Sequence, residues 1–99
     1  MSEALEAVIR ERIRQDLKWG VQNHDPFIYL AILMEEVGEL AQAALQARFG
    51  GDKAGGLRTE ATHTAAVALA LAECLDRDAW DKTHWINLNG HTHTEGSTS

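Results

Sequence analysis

Within the run Leu33-Met34-Glu35-Glu36-Val37-Gly38-Glu39-Leu40, three carboxylates interrupt a segment that is otherwise apolar. At 3.6 residues per turn, Glu36 and Glu39 stand three apart and Glu35 and Glu39 four apart, so the three acids share one side of a helix. Leu33, Val37, Leu40, Ala41 and Ala44 recur at the three-four spacing of a buried stripe, and Leu30 and Leu45 extend it a turn each way. The acids therefore flank a core face, where like charges are costly without a compensating cation. No Lys or Arg occurs between Lys18 and Arg48 to supply one. A chain with this segment must either turn the acids to water or hold a divalent ion among them. A second pair favours the ion: Glu60 and His63, three apart where another apolar helical segment begins, again put two ligand-type side chains on one helical face. The expectation is a metal site made by two helices.

The rest of the chain reads as helix as well. Ser2 caps a first helix running to about Trp19, with Leu5, Val8, Ile9, Ile13 and Leu17 on its apolar stripe and Arg10, Arg12 and Arg14 mostly off it. That helix is expected to pack and to carry no chemistry. Gly20 to Pro26 is a polar linker in which Asp25 is the N-cap of the second helix and Pro26 its first residue; this helix extends to about Phe49. Paired glycines at 50–51 and 55–56 stop it, since glycine readily adopts left-handed geometry. The glycine-rich loop is not a phosphate loop, because it lacks the terminal Gly-Lys-Ser/Thr and a preceding strand. A third helix starts near Leu57 or Thr59 and ends near Asp78, and between Ala65 and Ala72 it is apolar on every side, so it must be surrounded.

Ninety-nine residues make one domain with a modest core. The predicted fold is therefore all-α: a small helical bundle over residues 1–89, completed by a second protomer, followed by a polar tail over 90–99 with nothing to bury. A net charge of -6 excludes tracking of a nucleic-acid polymer, which needs clustered Lys and Arg. The single cysteine rules out a disulfide framework, no segment resembles a signal peptide, and the longest apolar run is too short to span a bilayer. A cytoplasmic protein without membrane contact is expected. Cys74 reads as a small core residue, Trp80 and Trp85 as packing residues, and His91 and His93 as tail composition rather than ligands.

The pattern Glu35-Glu36-x-x-Glu39, then Glu60-x-x-His63, on two helices of a small chain resembles the MazG-like nucleoside triphosphate pyrophosphohydrolases, which carry Glu-Glu-x-x-Glu followed by Glu-x-x-Asp. The similarity runs from about Lys18 to Asp76 and includes Lys18-Trp19-Gly20 and Ala65-Ala66-Val67-Ala68-Leu69. The resemblance implies cleavage of a nucleoside triphosphate, with Mg²⁺ or alternatively Mn²⁺, between its α and β phosphates. Monophosphate and pyrophosphate result, as in cleansing of a nucleotide pool. It implies Glu36, Glu39 and Glu60 as metal ligands, with Glu35 orienting or deprotonating the attacking water, and a homodimer or homotetramer. His63 replaces the family's Asp and keeps a side chain able to bind metal. Trp19, Gln22 and Asn23 offer a stacking face and amide groups to a base, although Trp19 serves equally well as a cap on the bundle. Lys53, Arg58 and Arg77 are the candidates for phosphate contact.

Two other readings compete. Glu-x-x-His combined with further Glu residues on bundle helices is also the ligand logic of ferritin-like di-metal redox proteins. Alternatively, the acids face water in a non-catalytic helical interaction module, which predicts no stabilisation by divalent ions.

Overall fold

The computed structural model describes residues 1–52 and 56–80; Lys53, Trp85, His91, His93 and the 90–99 tail lie outside them. Three helices and no strand occur among the described residues: α1 (Glu3–Trp19), α2 (Pro26–Phe49) and α3 (Leu57–Arg77). Their ends follow local chemistry. Ser2 Oγ accepts from the Leu5 amide at 3.1 Å, and Asp25 Oδ1 accepts from the Phe27 and Ile28 amides at 2.8 and 3.1 Å, with Pro26 in the first turn where no amide is needed. After α2 the chain passes through Gly50 at φ 92° and Gly51 at φ 148°, conformations that L side chains avoid, and a Cβ at Gly51 would meet the Gln46 side chain at 2.8 Å. Among the described residues, no helix is long and apolar enough to cross a membrane.

α3 lies between the other two, packing on α2 along one side and on α1 along another. Its inner residues Ala66, Val67, Ala70 and Cys74 are buried, and the alanines let the α2 backbone come close at Ala43, which is fully covered. Tyr29 from α2 joins Ala70 and Cys74 in a small core against which Leu71 and Trp80 pack. The linker before α2 is clipped to this core: Tyr29 Oη and Arg77 Nη2 each donate to the Gln22 carbonyl at 2.9 Å, and Arg77 Nε donates to Asn23 Oδ1 at 3.0 Å. Cys74 is buried as a core residue, its Sγ 3.5 Å from the His24 carbonyl.

Two helices turn different faces inward from those their sequences predict. On α1, Leu5, Ile13 and Leu17 of the predicted stripe are exposed, Val8 and Ile9 are half-buried, and Arg12 is the buried residue. Among the described residues α1 packs only on α3, where Arg12 meets Glu73 Oε1 at 2.6 and 3.0 Å, and α1 itself supplies the remaining acceptors that a buried guanidinium requires, Asp16 at 3.1 and 3.3 Å and Gln15 Oε1 at 3.1 Å. On α2, the side toward α3 runs through Tyr29, Ile32, Glu36, Leu40 and Ala43, while Leu30, Val37, Ala41, Ala44 and Leu45 of the predicted stripe are exposed. The apolar character of α2 is spread around its circumference, so periodicity alone does not choose its inner face. Likewise the described residues do not enclose α3, since Ala65, Ala68 and Ala72 remain exposed.

Candidate metal centre

Glu36 belongs to the α2 face that meets α3, one turn beyond Ile32, and the first turns of α3 bring Glu60 and His63 opposite it. One ligand atom from each of the three lies within 4.8 Å of the others. His63 Nδ1 is 3.7 Å from Glu60 Oε1. Glu36 Oε1 and Glu60 Oε1 are both buried, and neither accepts a hydrogen bond from any described residue. Burial pushes the Glu36 carboxyl above the usual carboxylate range; the charges of Glu39, Glu60 and Glu11 push the same way, and His63 partly offsets them. Buried carboxylate oxygens without donors normally carry a heavy desolvation cost. Two carboxylates and an imidazole converging at this distance could supply donors to a divalent cation. The residues fit such an ion.

Local packing sets this convergence. Thr64 Oγ1 donates to the Glu60 carbonyl at 2.8 Å within α3 and lies 3.4 Å from the Glu36 carbonyl, so the α2 and α3 backbones come close beside the trio. Glu39 is exposed and acts on Glu36 through its charge, whereas Glu35 is exposed and outside the trio.

α1, read from its sequence as packing only, supplies a further acid. Glu11 is largely buried, accepts from Arg14 at 2.6 and 2.9 Å and from Gln15 at 3.2 Å, and is held below the usual carboxylate range chiefly by Arg14, against a contrary push from burial. The i, i+3 pairing of Glu11 with Arg14 is ordinary on a solvated helix, so nothing in the sequence marks it.

Two spaces flank the trio. A cleft of about 130 Å³ shares Glu36 and is walled by Arg12, Asp16, Trp19, Tyr29 and Val67, with Gln22 at its edge. Trp19 is half-exposed, with Lys18 Nζ 4.7 Å and the Arg14 guanidinium 5.9 Å from its ring centre. A second groove shares His63 and contains Arg58. Asn23 and Arg77 are instead committed to the linker clip. Fourteen residues, about 21 Å of helix, separate Arg77 from His63, which leaves Arg77 a structural role. Compared with family models, with curated proteins and with solved structures, the chain matches none.

Proposed function

We propose that this protein is a divalent-metal-dependent hydrolase that cleaves a nucleoside triphosphate to its monophosphate and pyrophosphate. The observation that carries the reading is the pair of buried, donor-free carboxylate oxygens on Glu36 and Glu60 beside His63. The resemblance of Glu35-Glu36-x-x-Glu39 and Glu60-x-x-His63 to the MazG-like pattern supplies the reaction class. A bound ion would neutralise phosphate oxygens and acidify a water molecule. Glu36, Glu60 and His63 would hold it, with Glu39 adding negative charge at the rim. Glu35, on the adjacent exposed face, takes the proton of the attacking water. The cleft sharing Glu36 receives the base, with Trp19 and Tyr29 as aromatic walls and Gln15, Asp16 and Gln22 as polar contacts. Incubating the purified chain with each nucleoside triphosphate and Mg²⁺ or Mn²⁺ tests this by pyrophosphate release. Bound iron with an oxidation signal and no pyrophosphate would transfer the site to the di-metal redox reading, which Glu60-x-x-His63 also fits.

His63 sets the metal preference. Because Mg²⁺ prefers oxygen and dehydrates reluctantly, His63→Asp is expected to raise turnover with Mg²⁺ more than with Mn²⁺. An unchanged ratio of the two activities at saturating substrate would remove His63 from the ligand set.

The working form is a homo-oligomer in the cytoplasm, where its substrate is found. Supporting this, the α1 residues Leu5, Ile13 and Leu17 and the α2 residues Phe27, Leu30, Met34 and Phe49 are exposed on the single chain. Large apolar surfaces of this kind are rare on monomers. Light scattering at micromolar concentration is expected to give at least a dimer; an active monomer would contradict it.

A further inference from the structure

The groove beyond His63 is cationic in an acidic protein. Arg10 and Arg14 from α1 and Arg58 from α3 line a space of about 260 Å³ together with Glu11, Thr59 and His63. Three guanidinium groups face one carboxylate there, whereas the whole chain carries a net charge of -6. Internal neutralisation is incomplete. Glu11 pairs closely with Arg14, but Glu6 comes only to 4.0 Å from Arg10 with both side chains well exposed, and no described side chain pairs with Arg58. The first turn of α3 opens into the same region. Its N-cap is Gly56, and no described side chain caps the free amides there, so the positive end of the helix dipole adds to the arginines.

A groove with this charge suits an anion with several oxygens spread along it, because guanidinium forks bind phosphate oxygens in pairs. Its one shared wall with the metal centre is His63. An anion filling the groove therefore continues directly from whatever the trio holds.

We infer that Arg10, Arg14 and Arg58 form a diphosphate site that grips the two terminal phosphates of the substrate and then the pyrophosphate product. This assignment rests on the proposed triphosphate reaction for its orientation. The base-side cleft meets the metal centre at Glu36 and the arginine groove meets it at His63, so a nucleoside monophosphate loses the whole groove. Selectivity for triphosphates follows from that layout.

Calorimetric titration of the full chain with inorganic pyrophosphate, orthophosphate and MnCl₂ tests it. Pyrophosphate is expected to bind at least about tenfold more tightly than orthophosphate, and Arg58→Gln to weaken it by about tenfold while leaving Mn²⁺ affinity unchanged. Arg58→Lys should recover part of the loss. Arg14→Gln also frees Glu11, so the exposed Arg58 is the cleaner probe; circular dichroism confirms that its variants stay helical. Pyrophosphate binding lost in Arg58→Gln when the wild type binds no Mn²⁺ would uphold the groove and remove the metal reading. Mn²⁺ binding with equal pyrophosphate affinity in wild type and Arg58→Gln would overturn the groove and leave the metal reading standing. Occupation by a single-stranded oligonucleotide that pyrophosphate fails to displace would overturn it in favour of a nucleic-acid surface.

Discussion

Glu36→Gln is expected to make the metal-free protein harder to unfold and the metal-loaded protein inactive. In the wild type, the Glu36 carboxylate is pressed against α3, has no donor to Oε1 and feels the charge of Glu39. Its replacement by the neutral amide relieves that repulsion and desolvation, and a rise in Tm of about 2–5 °C is expected without metal. With metal the order reverses. An ion bound only by the folded wild type, at a hundred times its Kd, adds about 2.7 kcal/mol, or roughly 10–20 °C in a domain of this size. The variant should show almost none of this. Loss of outer-sphere partners costs about 10–100-fold in metal sites, so loss of a direct ligand should lower turnover by at least about a hundredfold.

The pH dependence carries the same signature. Because the folded-state pKa of Glu36 is raised, its contribution to stability is fully present below the ordinary carboxylate range and is lost as pH rises through the elevated value. Added Mn²⁺ should reverse that slope, since protons and metal compete for the same oxygens. Thermal melts across mildly acidic pH, with and without Mn²⁺, check both signs. Equal melting curves for wild type and variant under all conditions would remove Glu36 from the centre.

The second large effect belongs to Arg12, which fastens α1 to α3. Burial alone would lower its pKa, but the hydrogen bond and charge of Glu73 and those of Asp16 outweigh it and hold the guanidinium above its ordinary value. Breaking a buried pair typically costs about 3–5 kcal/mol. Here Glu73 and Asp16 keep 41% and 39% of their side-chain surface exposed and can rehydrate, which reduces the expected loss for Arg12→Ala to about 2 kcal/mol. Urea unfolding should show that loss as a lower midpoint with an unchanged slope. Arg12→Lys should recover only a small part, because a single ammonium cannot reach Glu73, Asp16 and Gln15 in one fork. Weaker docking of α1 should also disorder Arg10 and Arg14, so pyrophosphate binding should fall in Arg12→Ala although Arg12 is not among the residues lining the groove.

Local chemistry explains what could be read directly from the chain. Ser2, the Asp25-Pro26 pair and the Gly50-Gly51 pair act on amides and dihedral angles a few residues away, so the starts of α1 and α2 and the end of α2 were legible without tertiary information. The same holds for Glu60 and His63, whose spacing alone places them on one face of α3. Choice of inner face was not local. α2 is apolar around most of its girth, and only contact with α3 decides that Glu36 turns inward while Val37 and Ala41 turn out. On α1 an apolar stripe competed with an arginine for burial. Arg12 won because Glu73, 61 residues away, meets it on α3, and no periodicity encodes a partner at that distance. The convergence of Glu36, Glu60 and His63, the inward approach of Glu11 and the arginine groove all follow from that docking. Sequence by itself determined the helices and the side-chain chemistry along them; the tertiary structure decided which faces meet, because the acceptor that completes the burial of Arg12, Glu73, comes from another helix.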